Sequence, residues 1–503
     1  MEAWSFAQVM LFIASGQWQQ TRNTIESRIG ASPMSHGGIG DFGQSIRLSH
    51  PKSLRRDLSM LRSTRPFLIC AAAACVALNS MLSCRAGVNY EEDPINYSKT
   101  EPSNPVTELQ RRIDAARASL AFEGEQGYLK SLLKSLEIPI TSQVMTFAKT
   151  SLQAHHISPS TPRALYFNDD IHVGYVQEGM IEIAVSDPRL GMAFYTLEQV
   201  NSERPRFQHT LNCLTCHGAA RTRNVPGLQI RSVFPDPKGQ PVIAASSLRT
   251  DHSSPFEKRW GGWYVTGRHG TQQHLGNFLL SDGRKPKAID NSAGQNVTDL
   301  SSRLETSRYL SPHSDLVALL VLEHQTDAHN LLTLASFETR HALHLRGLQR
   351  QDPNSAAEDV EKSAQDRIAK SGEALVRYLL FSGEARLTGP VEGTSDFARD
   401  FASRGPFDGQ GRSLRQFDLT RRIFKYPCSY LIYSNAFDSL PIETRQYVFR
   451  RFRQVLSAED ATPEFDHLSR LDRQAILEIL QATKPEFAAL LRNPASVSVE
   501  SKP

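Results

Sequence analysis

A chain of 503 residues with 40% hydrophobic content has material for a sizeable core and exceeds the needs of one small domain. Its formal charge of +4 lies in residues 1–83, which hold eight basic and four acidic residues; residues 84–503 balance at 49 of each, so net charge gives no support for nucleic-acid binding. The six cysteines, at 70, 75, 84, 213, 216 and 428, do not form the dense pattern of a disulfide scaffold.

Residues 1–59 show no clear periodicity. Met60 then opens a signal-like arrangement: Arg62 and Arg65 precede an apolar run from Pro66 to Leu82, and Ser83-Cys84 closes it. Residues 1–83 are expected to be an N-terminal extension with a secretory signal, translation starting at Met60. Two alternatives stay open: a membrane tether through residues 66–84, and lipidation at Cys84. Either way the chain is expected on the exported, periplasmic side. Residues 84–105, acidic and Pro-containing, read as a linker.

Residues 106–200 are expected to form an N-terminal helix and a small antiparallel sheet. The helix follows from apolar Leu109, Ile113, Ala116 and Leu120 and then Leu129, Leu132 and Leu133. The strands are 164–167, 171–176, 181–185 and 193–196, separated by Asn168-Asp169-Asp170, Gly179 and Asp187-Pro188. His155-His156 are expected on the surface.

Residues 201–350 hold the most specific signal, Cys213-Leu214-Thr215-Cys216-His217. Two thiols three positions apart reach the two vinyl groups of one porphyrin. The next residue, a histidine, is placed to ligate the iron as its proximal ligand. The cofactor expected is one covalently bound haem c with its iron. A zinc site needs a second pair of ligands, and the only later cysteine is Cys428. Arg221, Arg223 and Arg231 are candidate partners for the haem propionates. No methionine follows His217, which excludes a downstream Met as the sixth ligand. His274 and then His269, 57 and 52 residues after His217, are the candidate distal ligands. Met180, Met192 or an open position are the other readings.

The stretch Arg259 to Asn277, with two of the four tryptophans, is expected to form the far wall of the haem pocket. Ser311-Pro312 is expected to start a helix over Leu316–Leu345, broken once. Glu338 and His341 lie three apart on it, but no second Glu-x-x-His accompanies them, so a metal there is not expected. Residues 351–503 are expected to be a helical C-terminal region: a linker over 351–362, a helix from Ala374, a long loop over 383–415, an aromatic core segment at 424–433, and helices over 441–456 and 469–480. Ser469 and Asp472 form a capping box for the last.

Four strings, Ala164-Leu165-Tyr166-Phe167-Asn168-Asp169, the Cys213–His217 motif, Arg259-Trp260-Gly261-Gly262-Trp263-Tyr264-Val265-Thr266-Gly267 and Lys425-Tyr426-Pro427-Cys428-Ser429-Tyr430, resemble exported bacterial cytochrome c domain-containing proteins. The resemblance covers most of residues 106–490. It implies haem binding and electron transfer, and little beyond that.

The fold expected is α+β and mainly α, a cytochrome c-type haem segment embedded in a larger helical protein. The function expected is single-electron transfer by a mono-haem c-type cytochrome that meets a redox partner protein. A haem enzyme of peroxidase type with an open iron, where His269 or His274 serves as acid–base group beside Arg268, is the alternative. A haem-based sensor or structural protein is a third reading.

Overall fold

A computed structural model of the chain describes residues 88–242, 247–281, 289–351, 356–460 and 462–492. The expected signal segment, its tether at 66–84 and Cys84 lie outside the described residues. Among the described residues, no helix is long and apolar enough to cross a membrane.

The fold is mixed α and β, built on a seven-stranded antiparallel sheet. The strands are β1 (Val144–Thr146), β2 (Arg163–Phe167), β3 (Ile171–Tyr175), β4 (Ile181–Asp187), β5 (Gly191–Leu197), β6 (Phe207–His209) and β9 (Trp263–Tyr264). Their order across the sheet is β6-β5-β4-β3-β2-β1-β9. The four central strands are those that alternation and turn residues indicate. The three others, two or three residues long, carry too little pattern to announce themselves, so the sheet is larger than expected.

Alternation divides the central strands into two faces. Tyr166, Val173, Ile183 and Tyr195 oppose one another in register on one face. This face is buried in a core that includes Val106, Leu109, Ile113 and Leu132 from the N-terminal helices. Phe167, His172, Ala184 and Phe194 form the corresponding row on the other face.

The N-terminal helical stretch is two helices, α1 (Pro105–Asp114) and α2 (Leu129–Ser135). Asn104 caps α1 in a capping box with Thr107, and Pro105 at its first position has no N–H to satisfy. The Asn104 amide also donates to Asp187 and Tyr195, which ties the helix start to the sheet. The expected linker is no free tether over its described part: Ile95 and Tyr97 are buried, and Tyr97 donates to the Met192 carbonyl at 2.7 Å.

The Cys213–His217 motif forms a single helical turn, α3 (Leu214–His217). The hairpin of β7 (Ile230–Val233) and β8 (Ser247–Thr250) follows it. Helix α4 (Leu316–Gln349) runs 34 residues without a break. Its cap is Asp315, whose carboxylate accepts from Val317 N and Ala318 N, and not the expected Ser311. Asp315 also accepts from Thr394 N and Ser395 N, so one carboxylate fixes the helix start against a distant loop. The helix is buried on nearly all sides through its first two thirds, as suits its lack of an apolar stripe.

Helix α5 (Ala357–Leu379) starts inside the segment expected to be a linker. Its Val360, Ala364, Ile368, Leu375 and Leu379 are buried at helical spacing among many charges, which mask the pattern. The loop expected over 383–415 contains α6 (Phe397–Ser403), anchored by buried Phe397 and Phe401. Helices α7 (Asn435–Asp438), α8 (Ile442–Leu456), α9 (Arg470–Thr483, capped by Ser469 and Asp472) and α10 (Pro485–Arg492) complete the described residues. The described residues belong to one compact unit. Its largest core joins Val144, Trp263 and α4 to residues as late as Leu490, and so crosses the boundaries drawn at 200 and 350.

Candidate functional site

The sheet row Phe167–His172–Ala184–Phe194 floors a cavity of about 390 Å³. The neighbouring row, Leu165, Gly174 and Glu182, continues the floor. Leu228, Ile230 and Trp263 and, from α4, Leu322 and Thr326 line it as well. Leu322 and Thr326 are four apart and so share one helix face. Cys213, Cys216 and His217 line the same cavity. The walls are thus largely apolar and aromatic, with all three motif side chains brought to one space.

Both thiols are free. Burial, and then the Glu182 carboxylate, push the Cys213 thiol up to about 11, so it is held as the neutral thiol. The His217 imidazole packs on Phe194 with ring centres 5.3 Å apart. Its Nδ1 lies 2.8 Å from the Gly227 carbonyl. A carbonyl only accepts, so Nδ1 carries the proton and Nε2 keeps its lone pair. Burial lowers the His217 pKa; the Gly227 carbonyl opposes this, and the ring stays neutral at neutral pH, as a metal ligand must be.

The Gly227 carbonyl is itself held by α4. Asn330 Oδ1 accepts from Leu228 N at 2.8 Å, and its Nδ2 donates to Leu228 O at 2.7 Å. A Cβ at position 227 would lie 2.1 Å from Asn330 Oδ1, so this approach requires glycine. Gly218 lies against the Tyr90 hydroxyl, 2.3 Å from where a Cβ would stand.

Positive charge collects along the cavity wall. Lys149, Arg163, Arg221 and Arg231 all line it. Arg163 pairs with Glu182 at 2.8 Å. Arg231 donates to Ser247 Oγ and has no carboxylate partner among the described residues. Burial, and then the nearby Arg221 charge, lower its pKa. Two guanidinium groups that repel each other without an anion make a ready site for carboxylates. Arg223 is engaged elsewhere. It binds Asp327 of α4 through two hydrogen bonds at 2.9 and 2.7 Å. Burial alone would raise the Asp327 pKa, but its arginine partners outweigh it and hold the carboxyl below its usual range.

His269 and His274 do not line the cavity; both are buried beside Phe256, and His274 also packs on Trp260. His269 uses both ring nitrogens on backbone, Nδ1 to the Gln272 carbonyl at 2.8 Å and Nε2 from Asn296 N at 3.0 Å. His274 Nδ1 accepts from Gly276 N at 3.0 Å, and burial with the neighbouring His269 pushes its pKa down to about 3. The stretch after Arg259 gives the cavity Trp263 alone. Trp260 belongs to the largest core and both histidines are buried outside the cavity, so the structure does not bring His274 or His269 together with the motif. Met180 lines a separate cleft, and Met192 packs with Ala184, Phe194 and Leu228 on the side of Cys213 and Leu214. Glu338, the carboxylate near His341, is paired with Arg367.

Three cavity residues escape a reading of the sequence by motif. Arg163, His172 and Glu182 sit on adjacent strands inside otherwise apolar runs. Polar residues at matching alternation on neighbouring strands mark a face with a function, and that signal is present. Asn330 gives no such signal, because its partner lies 102 residues away.

No protein-family model, curated protein or solved structure matches the chain.

Proposed function

We propose that the chain is an exported c-type haem protein that binds one haem covalently through thioethers at Cys213 and Cys216, takes His217 as the proximal iron ligand, and transfers single electrons to a partner protein. The observation that carries this reading is the joint placement of two free thiols and a neutral imidazole, its Nε2 lone pair available, in one largely apolar cavity. The residues present fit the group. Aromatic and aliphatic walls suit a porphyrin, and Lys149, Arg221 and Arg231 suit its two carboxylates. When bound, the haem supplies an iron that cycles between Fe(III) and Fe(II). The protein's part is to hold the group, exclude water from it and fix the His217 ring through Gly227.

A second reading, a haem protein with an exchangeable iron position, is favoured by one observation. None of the sixth ligands weighed in the sequence, His274, His269, Met180 or Met192, lines the cavity.

Expression of the full chain in a host competent for c-type maturation tests the proposal. Mass spectrometry is expected to show one haem added, and Cys213→Ala with Cys216→Ala is expected to abolish it. Absence of covalent haem from the wild-type chain overturns the reading. Spectra with and without carbon monoxide separate its two forms. A low-spin spectrum unmoved by the gas favours electron transfer, and rapid binding favours the exchangeable site.

A further inference from the structure

We propose that the ion pair of Arg163 and Glu182 sets the reduction potential of a haem held at the Cys213–His217 motif, the guanidinium raising it and the carboxylate lowering it. The inference rests on the haem reading above. It gives a role to two charges that packing of the cavity floor does not require.

The sheet builds the pair beside the motif. Glu182 lies on β4 two residues before Ala184, and so on the same face. Phe194 opposes Ala184 on β5, and His217 packs on Phe194. Glu182 and Phe194 are thus diagonal neighbours, about 7–8 Å apart. Arg163 stands on β2, with β3 between it and Glu182. Gly174 of β3 lets the two side chains meet. It opposes Leu165 on one side and Glu182 on the other. A Cβ at 174 would lie 3.4 Å from the Glu182 carboxylate and 3.6 Å from Arg163 Cδ, so the pair crosses the strand over the glycine.

The carboxylate is held at both oxygens. Arg163 donates to Oε2 at 2.8 Å, and Ser151 Oγ and Gln153 Nε2 donate to Oε1 at 2.8 and 3.0 Å. Gln153 is itself locked: it donates to the Met180 carbonyl at 3.1 Å and accepts from Met180 N at 2.7 Å. Burial alone would raise the Glu182 pKa, but Arg163 and these donors outweigh it and hold the carboxyl below its usual range. The guanidinium is always protonated. Both charges therefore persist at neutral pH, fixed in place, with side chains 20% and 25% exposed. Stability does not call for them, since apolar residues of similar volume often replace a buried ion pair at no cost. Their charges do reach the motif. After burial and the Gly227 carbonyl, the influences on the His217 imidazole are Arg163 and then Glu182, with opposite signs. Iron bound to that ring meets the same two charges. A positive charge nearby favours Fe(II) and a negative one favours Fe(III), so in the wild type the two effects oppose each other.

Redox titration of the full, haem-loaded chain tests this. Glu182→Gln is expected to raise the midpoint potential and Arg163→Gln to lower it. Each should change the Fe(III)/Fe(II) ratio by roughly threefold to tenfold, about 30–60 mV for one electron. The variant carrying both substitutions is expected to return close to the wild-type value, and Arg163→Lys, which keeps the charge, to stay near it. Loss of a merely structural contact has no reason to give shifts of opposite sign that cancel in the double variant. Single variants that shift the potential in the same direction, or leave it unmoved, overturn the proposal while the haem reading stands. Wild-type chain without covalent haem is a distinct result, read by mass, that removes the haem reading and this inference together.

Discussion

Asn330 and Leu228, 102 residues apart, exchange two hydrogen bonds, and through them helix α4 sets the carbonyl that orients the His217 ring. Asn330→Ala leaves the Leu228 N–H and C=O unpaired in a buried place. It is expected to destabilise the fold by about 2 kcal/mol. In the haem-loaded protein it should also shift the midpoint potential, because a less constrained His217 is a different ligand. Denaturant unfolding and a redox titration measure the two effects; an unchanged potential would mean that Gly227 holds its place without the helix.

Asp327 is 2% exposed and holds Arg223 and Arg249. Asp327→Ala is expected to cost about 2 kcal/mol, below the figure for a fully buried pair because both guanidinium groups keep some contact with water. The pH dependence has a definite sign. The folded carboxyl is held below the ordinary value of 3.8, so its contribution is complete above that value and is lost as the pH falls below it. Urea unfolding between pH 5 and pH 3 should show the wild type losing its advantage over Asp327→Asn. A constant difference across that range would argue against the assignment.

Acid should weaken the fold at a higher pH for another reason. His252 and His324 share a hydrogen bond of 2.8 Å in the core, and burial pushes His252 down to about 4 and His324 well below its usual value. Burial and His269 push His274 down to about 3. Between the ordinary histidine value of 6.5 and these lowered values, the unfolded chain takes up protons that the folded chain refuses. Stability should therefore fall as pH drops from about 6.5 towards 4, by up to about 1.4 kcal/mol per pH unit for each such histidine. A flat unfolding profile over that window would contradict the burial of neutral rings.

Arg221 and Arg231 line the cavity without a carboxylate partner among the described residues. In the haem-loaded protein, Arg231→Gln is expected to lower the midpoint potential, since removing positive charge favours Fe(III). High salt should reduce the effect if the group stays partly open to water. An unmoved potential would place the haem carboxylates elsewhere.

If the chain carries the proposed haem, His217→Gly in the haem-loaded protein is expected to keep the thioethers and lose the axial ligand, with added imidazole restoring the spectrum. Failure of imidazole to restore it would mean that another side chain takes the vacated position.

The legible part of the site was the motif itself. Cys213, Cys216 and His217 are contiguous, so one turn of backbone is enough to bring them together. The four central strands were legible too, because alternation and turn chemistry act within a few residues. His269 and His274 stand out as ligands on sequence distance alone. In the fold, the backbone of Gln272, Asn296 and Gly276 claims their nitrogens. Helix α5 hides its buried stripe among charges, and α4 conceals its role because it is buried on nearly every side.

By itself, then, the sequence determined the motif, the local strands and the caps, since these depend on neighbours close along the chain. Only the tertiary structure decided which face of the sheet floors the cavity and which histidine shares that cavity with His217. It also decided that α4 supplies Gln325, Asp327 and Asn330 to three different partners. Those relations depend on the register of strands and on one helix crossing behind them, and neither leaves a mark at short range in the chain.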